Sequence, residues 1–130
     1  MIKASMYFSY GRDGRNGIVS RTTFEAILAG ERTSTTRFPA WPGHSRYEAL
    51  KVGDTIRFFA DRDMKGRYVD VVVTELPRPV DLARCSEPEI EAWSIAEGWS
   101  VGAGRGYGRR YGVGLQIRYR PTPAPEAREG

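Results

Sequence analysis

The stretch AILAGERTSTTRF, Ala26 to Phe38, joins the end of a helix to a short polar strand through a glycine stop. Arg32, Thr33, Ser34, Thr35, Thr36 and Arg37 place four hydroxyl side chains between two arginines. Threonine favours strands, and strand alternation puts Arg32, Ser34 and Thr36 on one face and Thr33, Thr35 and Arg37 on the other. Neither face is apolar, so the strand is either exposed or lines a polar cleft. Hydroxyl and guanidinium groups directly after a helix suit a phosphate or a polar nucleobase. The plainer reading is an edge strand kept soluble by charge.

Upstream, Ile2 to Tyr10 reads as a strand with Met6 and Phe8 facing away from Tyr7, followed by the flexible loop GRDGRNG (Gly11 to Gly17). Thr22 and Glu25 form a capping-box pattern for a helix carrying Phe24, Ile27 and Leu28, which Gly30 ends. Downstream, FPAWPGHSRY (Phe38 to Tyr47) reads as a loop, with one helical turn expected over Tyr47 to Leu50. Lys51 to Asp54 turns the chain into a strand, Thr55 to Ala60, paired through a loop at Asp61 to Gly66 with a β-branched strand, Tyr68 to Leu76. Pro77 and Pro79 stop that strand. Ser86 and Glu89 make a second capping box for a helix carrying Ile90 and Trp93 and ending between Glu97 and Gly98. GWSVGAGRGYGRRYG (Gly98 to Gly112) reads as glycine-rich and irregular, with room for one short helix, and Val113 to Tyr119 alternates as a closing strand.

Such an order, without a βαβ rhythm, predicts an α+β fold: a small mixed β-barrel of five to six strands with two or three short helices. Residues 1–120 are expected to form one domain and residues 121–130 (PTPAPEAREG) a disordered C-terminal tail. The length of 130 residues suffices to bury one core. No apolar run approaches the ~20 residues of a membrane helix, and MIKASMYFSY has no apolar core of a signal peptide. The single cysteine, Cys85, excludes an internal disulfide. A cytoplasmic protein that engages no membrane is expected.

A net charge of +4 is unevenly spread: Gly98 to Arg120 holds Arg105, Arg109, Arg110, Arg118 and Arg120 and no acid. Local basic patches suggest an anionic partner, of which nucleic acid is the usual one, or else a solvated surface that prefers arginine. RGYGRRYG (Arg105 to Gly112) interleaves arginine and tyrosine with glycine, a composition that suits phosphates and stacked unpaired bases and also a plain mobile loop. His44, the only histidine, lies in a proline-rich loop, so a Ser-His-acid or Cys-His hydrolase is not expected, and one His with one Cys cannot supply a tight soft-ligand zinc site. Glu97 stands out because an acid at a helix C-terminus opposes the macrodipole. It needs an arginine or a ligand as compensation, unless it is exposed at a frayed end.

Three segments, GERTSTTRF (Gly30 to Phe38), LKVGDTIRFF (Leu50 to Phe59) and WSIAEGWS (Trp93 to Ser100), together resemble the ASCH domain of the PUA-like superfamily. The resemblance spans about Met6 to Tyr119. It implies a PUA-like barrel with a cleft between barrel and helices, lined by the Gly30 to Arg37 segment, that binds RNA or a related ligand. On that reading Arg32, Ser34, Thr35, Arg37, Trp41, Glu97, Arg105, Tyr107, Arg109 and Arg110 would contact single-stranded RNA or a nucleotide, and binding would require no cofactor. Some ASCH relatives are enzymes: one group hydrolyses acetylated cytidine through a lysine, a threonine and a glutamate, and another is a metal-dependent ribonuclease. The resemblance places the catalytic trio at Arg32, Thr35 and Glu97, with a divalent metal needed only by a nuclease. Arginine stands where the amidohydrolases have lysine, and a guanidinium cannot give up its proton to serve as a base.

Overall fold

The computed structural model describes residues 1–8, 23–122 and 128–129. The GRDGRNG loop, the Thr22 cap and most of the C-terminal segment lie outside them. In chain order the elements are β1 (Ile2–Tyr7), α1 (Thr23–Leu28), β2 (Ser34–Arg37), α2 (His44–Glu48), β3 (Thr55–Phe59), β4 (Arg67–Val73), β5 (Arg78–Val80), α3 (Glu87–Glu97), α4 (Val101–Tyr111), β6 (Gly114–Pro121) and β7 (Arg128–Glu129).

The sheet runs β1-β3-β4-β6-β2, with β5 paired to β6 and β7 to β4. β1 lies parallel to β3, with Met6 opposite Phe58, and the other pairs are antiparallel. This mixed sheet curls into a half-barrel. Period-two alternation fills its interior: Ala4, Met6, Ile56, Phe58, Val69, Val71, Val73, Ile117 and Tyr119 all point inward, and α1 closes the core with Phe24 and Ile27. On the outer face Arg57 forks onto Asp70, directly opposite, through bonds of 2.9 and 3.1 Å.

Local signals in the sequence act as expected at several corners. Gly30, Gly53 and Gly98 have positive φ, and each closes the helix or turn it ends. Ser86 Oγ accepts from Glu89 N at 3.3 Å, and Ser86 N donates back to the Glu89 carboxylate at 3.1 Å, completing the capping box of α3. Ile90, Trp93, Ser94 and Glu97, at helical spacing, face inward, and Ile95 is turned to solvent.

Other expectations are corrected. The helix near Tyr47 runs over His44–Glu48, earlier than the expected turn, because Gly43 in a left-handed conformation starts it. The β-branched strand ends at Val73, not Leu76, and Arg78–Val80 returns as β5. Pro79 is tolerated there because β5 pairs on one side only, with β6. The largest correction is Gly98 to Gly112. It is an ordered eleven-residue helix, α4, capped by Ser100, whose side chain accepts from Ala103 N at 3.1 Å. Four helices therefore stand among the described residues, where two or three were expected.

The glycines of α4 are contact residues. Gly104 and Gly108, one turn apart, are both buried. A Cβ on Gly104 would meet the Trp93 ring at 2.5 Å, and one on Gly108 would run into the backbone of Leu82 and Ala83. Glycine lets α4 press onto α3 and the Leu82 turn, and the packing recovers what propensity loses. Phe38, Leu82, Ile90 and Trp93 form the resulting second core, flanked by Trp41, Trp99, Tyr107 and Tyr111.

The two classes of glycine should separate in urea melts. Gly106→Ala meets nothing closer than 4.0 Å and should stabilise the protein by about 0.5–1 kcal/mol. Gly108→Ala must push backbone aside and should cost roughly 1–3 kcal/mol or more.

Candidate functional site

The site forms where the C-terminus of α3 meets β2. Thr33 N donates to Ala96 O at 2.8 Å, which fastens the start of the strand to the last turn of the helix. Ser34 and Thr36 share a face of β2, and both hydroxyls donate to Oε2 of Glu97 at 2.7 Å. Behind them, Trp93 Nε1 donates to Thr36 Oγ1 at 3.0 Å and Gln116 Nε2 to Ser34 Oγ at 3.2 Å. An indole N–H only donates, so Thr36 must accept from Trp93 and give its own proton to Glu97. Oε2 is thus fixed as an acceptor twice over, and a proton taken up by Glu97 belongs on Oε1.

Glu97 is 2% exposed. Burial pushes its carboxyl up from the ordinary value; the Arg32 charge, the Thr36 and Ser34 hydroxyls and the Arg37 charge pull the other way and are outweighed. Arg32, 3% exposed, lies between the rings of Phe8 and Trp99 at 5.6 and 5.7 Å from their centroids. Its Nε has no hydrogen-bond acceptor among the described residues. The Arg37 guanidinium stands over Phe8 at 5.1 Å and Trp41 at 6.0 Å.

These groups line a cavity of about 50 Å³. Arg32, Thr35, Arg37, Trp41, Glu97 and Tyr107 all reach its wall. Ser34 stands behind Glu97 and acts through it. Arg105 lies elsewhere: its guanidinium donates to the carbonyls of Leu82 at 3.1 Å and Cys85 at 2.8 Å and pairs with Glu87 at 3.2 Å, tying α4 to the preceding turn. Arg109 and Arg110 are exposed on the last turn of α4, away from the cavity wall. Arg110 covers the ring of Tyr111 at 5.3 Å.

Sequence reading missed Thr36, Trp93, Trp99, Gln116 and Tyr119. Thr36 was legible as the strand partner of Ser34, and Trp93 as the residue one turn before Glu97 on the same helix. Gln116 and Tyr119 carry no such mark, because only the pairing of β6 with β2 and the core brings them in. The Tyr119 hydroxyl is buried with no hydrogen-bond partner among the described residues, and burial pushes the phenol upward.

No family model and no curated protein matches this sequence. Solved structures do match. An ASCH domain from Lactobacillus crispatus JV V101 superposes with a TM-score of 0.59 at 14% identity, over 91% of this chain and 78% of that one. A DUF984 protein from Enterococcus faecalis V583 gives 0.58 at 12% identity, over 94% and 80%. A ZmASCH mutant from Zymomonas mobilis gives 0.57 at 15%, over 92% and 72%. The chain has the ASCH fold. At these identities the likeness is one of fold, and it confirms the α+β, PUA-like architecture expected from the sequence motifs.

The buried carboxyl should leave a pH signature. Glu97 holds its proton more tightly folded than unfolded, so its contribution to stability is complete below the ordinary value of 4.5 and is lost as pH rises through the raised folded value. Glu97→Gln mimics the protonated acid. In urea melts across an acid-to-neutral series, wild-type stability minus variant stability should fall with rising pH above about 4.5. A flat difference would show that Glu97 titrates as an ordinary carboxyl.

Proposed function

We propose that this ASCH domain binds single-stranded RNA, or a nucleotide portion of it, in the cleft between barrel and helices. The observation that carries this reading is the presence of two guanidiniums, Arg32 and Arg37, with the buried Glu97 around one aromatic-walled cavity. Arg32 and Arg37 offer hydrogen bonds to phosphate or base-carbonyl oxygens. Glu97 Oε1 accepts from an exocyclic amine when ionised and donates to a ring nitrogen or carbonyl when protonated. Trp41 and Tyr107 supply ring faces for stacking. Thr35 anchors the ligand between the two arginines. No helix among the described residues is long and apolar enough to cross a membrane, and the proposed setting is the cytoplasm.

A second reading, hydrolysis in the same cleft, is favoured by one feature: a carboxyl whose proton affinity is raised by burial beside a fixed cation is suited to acid–base work. Glu97 would then be the base, Thr35 the nucleophile or anchor, and Arg32 the holder of a developing oxyanion. A modified nucleoside such as acetylated cytidine would be the substrate of an amidohydrolase of this kind. A ribonuclease version would require a divalent metal, and the donors fit one poorly. No three His, Cys, Asp or Glu side chains converge among the described residues, and two guanidiniums repel a cation from Glu97.

Gel electrophoresis of labelled single-stranded RNA with the purified protein, with and without Mg²⁺ or Mn²⁺, tests both. The binding reading expects a shift that weakens as salt rises. Arg37→Ala should cost at least about tenfold in affinity, and the Arg32→Ala, Arg37→Ala double variant more. Unaltered affinity in the folded double variant would sink the binding reading. Cleavage, or deacetylation of acetylated cytidine, abolished by Glu97→Gln would move the assignment to the enzyme.

A further inference from the structure

A cavity of about 50 Å³ is too small for what the proposed function asks of it. Pockets that enclose a small organic ligand measure roughly 300–1,000 Å³. The cavity beside Glu97 has room for the polar edge of a base or one substituent. The remainder of any nucleotide must lie outside it.

The adjoining space is well defined. A groove of about 630 Å³ shares Arg37 and Trp41 with the cavity and runs over α2 and the edge of β1. Tyr7, Ser45 and Arg46 contribute polar groups to its sides. Its floor is held in place: Tyr47, 6% exposed, reaches from α2 to Ser5 O at 3.4 Å and ties the helix to the barrel. Arg46 sits exposed in the last turn of α2, and no acid lines the groove among the described residues. Such a wall of hydroxyls and arginines suits a phosphodiester chain.

We propose that this groove holds the sugar–phosphate backbone of the strand whose base edge enters the cavity, so that the site takes a nucleotide within a strand in preference to a free nucleoside. The proposal rests on the RNA-binding reading above. Arg37 stands at the throat, where it meets the phosphate of the bound nucleotide. Arg46 meets the next phosphate along. Trp41, common to both spaces, stacks on the base between them.

Fluorescence anisotropy with a labelled single-stranded RNA of about ten nucleotides, repeated over a salt series, tests the path. Arg46→Ala should weaken binding about threefold to tenfold at low salt and reduce the slope of log affinity against log salt by about one. The exposed Arg120→Ala, which removes the same charge outside the groove, should change neither by a comparable amount. Wild-type affinity and slope in Arg46→Ala, with loss in the Arg32→Ala, Arg37→Ala variant, would overturn the groove and leave the cleft reading standing. Loss in Arg46→Ala with none in the Arg32 and Arg37 variant would keep the groove as the track and sink the cleft reading. Absence of any binding by the wild-type chain overturns both.

Discussion

A carboxyl group buried at the wrong end of a helix is the constraint around which this domain is arranged. Glu97 is the last residue of α3, where the helix dipole opposes negative charge, and it is withdrawn from water. Each neighbouring element supplies part of the compensation. β2 brings two hydroxyls to one oxygen, α3 itself brings Trp93 to orient Thr36, and β6 brings Gln116 to orient Ser34. Arg32 and Arg37 add charge at longer range. The compensation is incomplete, so the carboxyl holds its proton more tightly than it would in water.

The second requirement is the aromatic cluster that walls the cavity Glu97 lines, and it depends on the glycines of α4. Trp41 packs edge-on to Phe38 at 4.9 Å and to Tyr111 at 5.4 Å, and Tyr107 lies 6.3 Å from Phe38. Those tyrosines reach the Phe38–Trp41 segment only because α4 approaches the Leu82 turn at backbone contact distance. The same close approach puts Arg105 within reach of the Leu82 and Cys85 carbonyls, where it is spent on holding the helix down. One residue type in RGYGRRYG thus does two different things: Arg105 holds the helix down, and Arg109 and Arg110 face solvent.

This sorting marks where sequence reading reached its limit. Caps, glycine stops and strand alternation are local signals, and they located β1, β2, β3, α3 and the Glu97 terminus from short windows of chain. The polar strand and the acid at a helix end were each visible as groups without a local partner, but that Ser34 and Thr36 are the residues that hold Glu97 was not. α4 was not legible. Its composition argues against a helix on propensity, and the surfaces that hold it, those of Trp93, Leu82 and Ala83, meet it only once the chain has folded back. β5 was hidden for the converse reason: two prolines signal a stop, and only the edge position reconciles one of them with a strand.

Arginine at position 32 bears on which chemistry the cleft favours. Lysine there could lose its proton in a dry site and act as a base. A guanidinium keeps its charge, so the cavity combines two fixed cations with one acid whose proton is loosened only against the cost of burial. When Glu97 is protonated the cavity offers donors on every side, and it suits phosphoryl and carbonyl oxygens. When Glu97 ionises, Oε1 becomes an acceptor between cations, and the site suits a group that presents an acceptor and an N–H donor side by side, as the edges of cytosine, adenine and guanine do. Under the proposed binding reading either state would suit a nucleobase edge, and neither gives the cleft the amine base that a lysine at position 32 would supply.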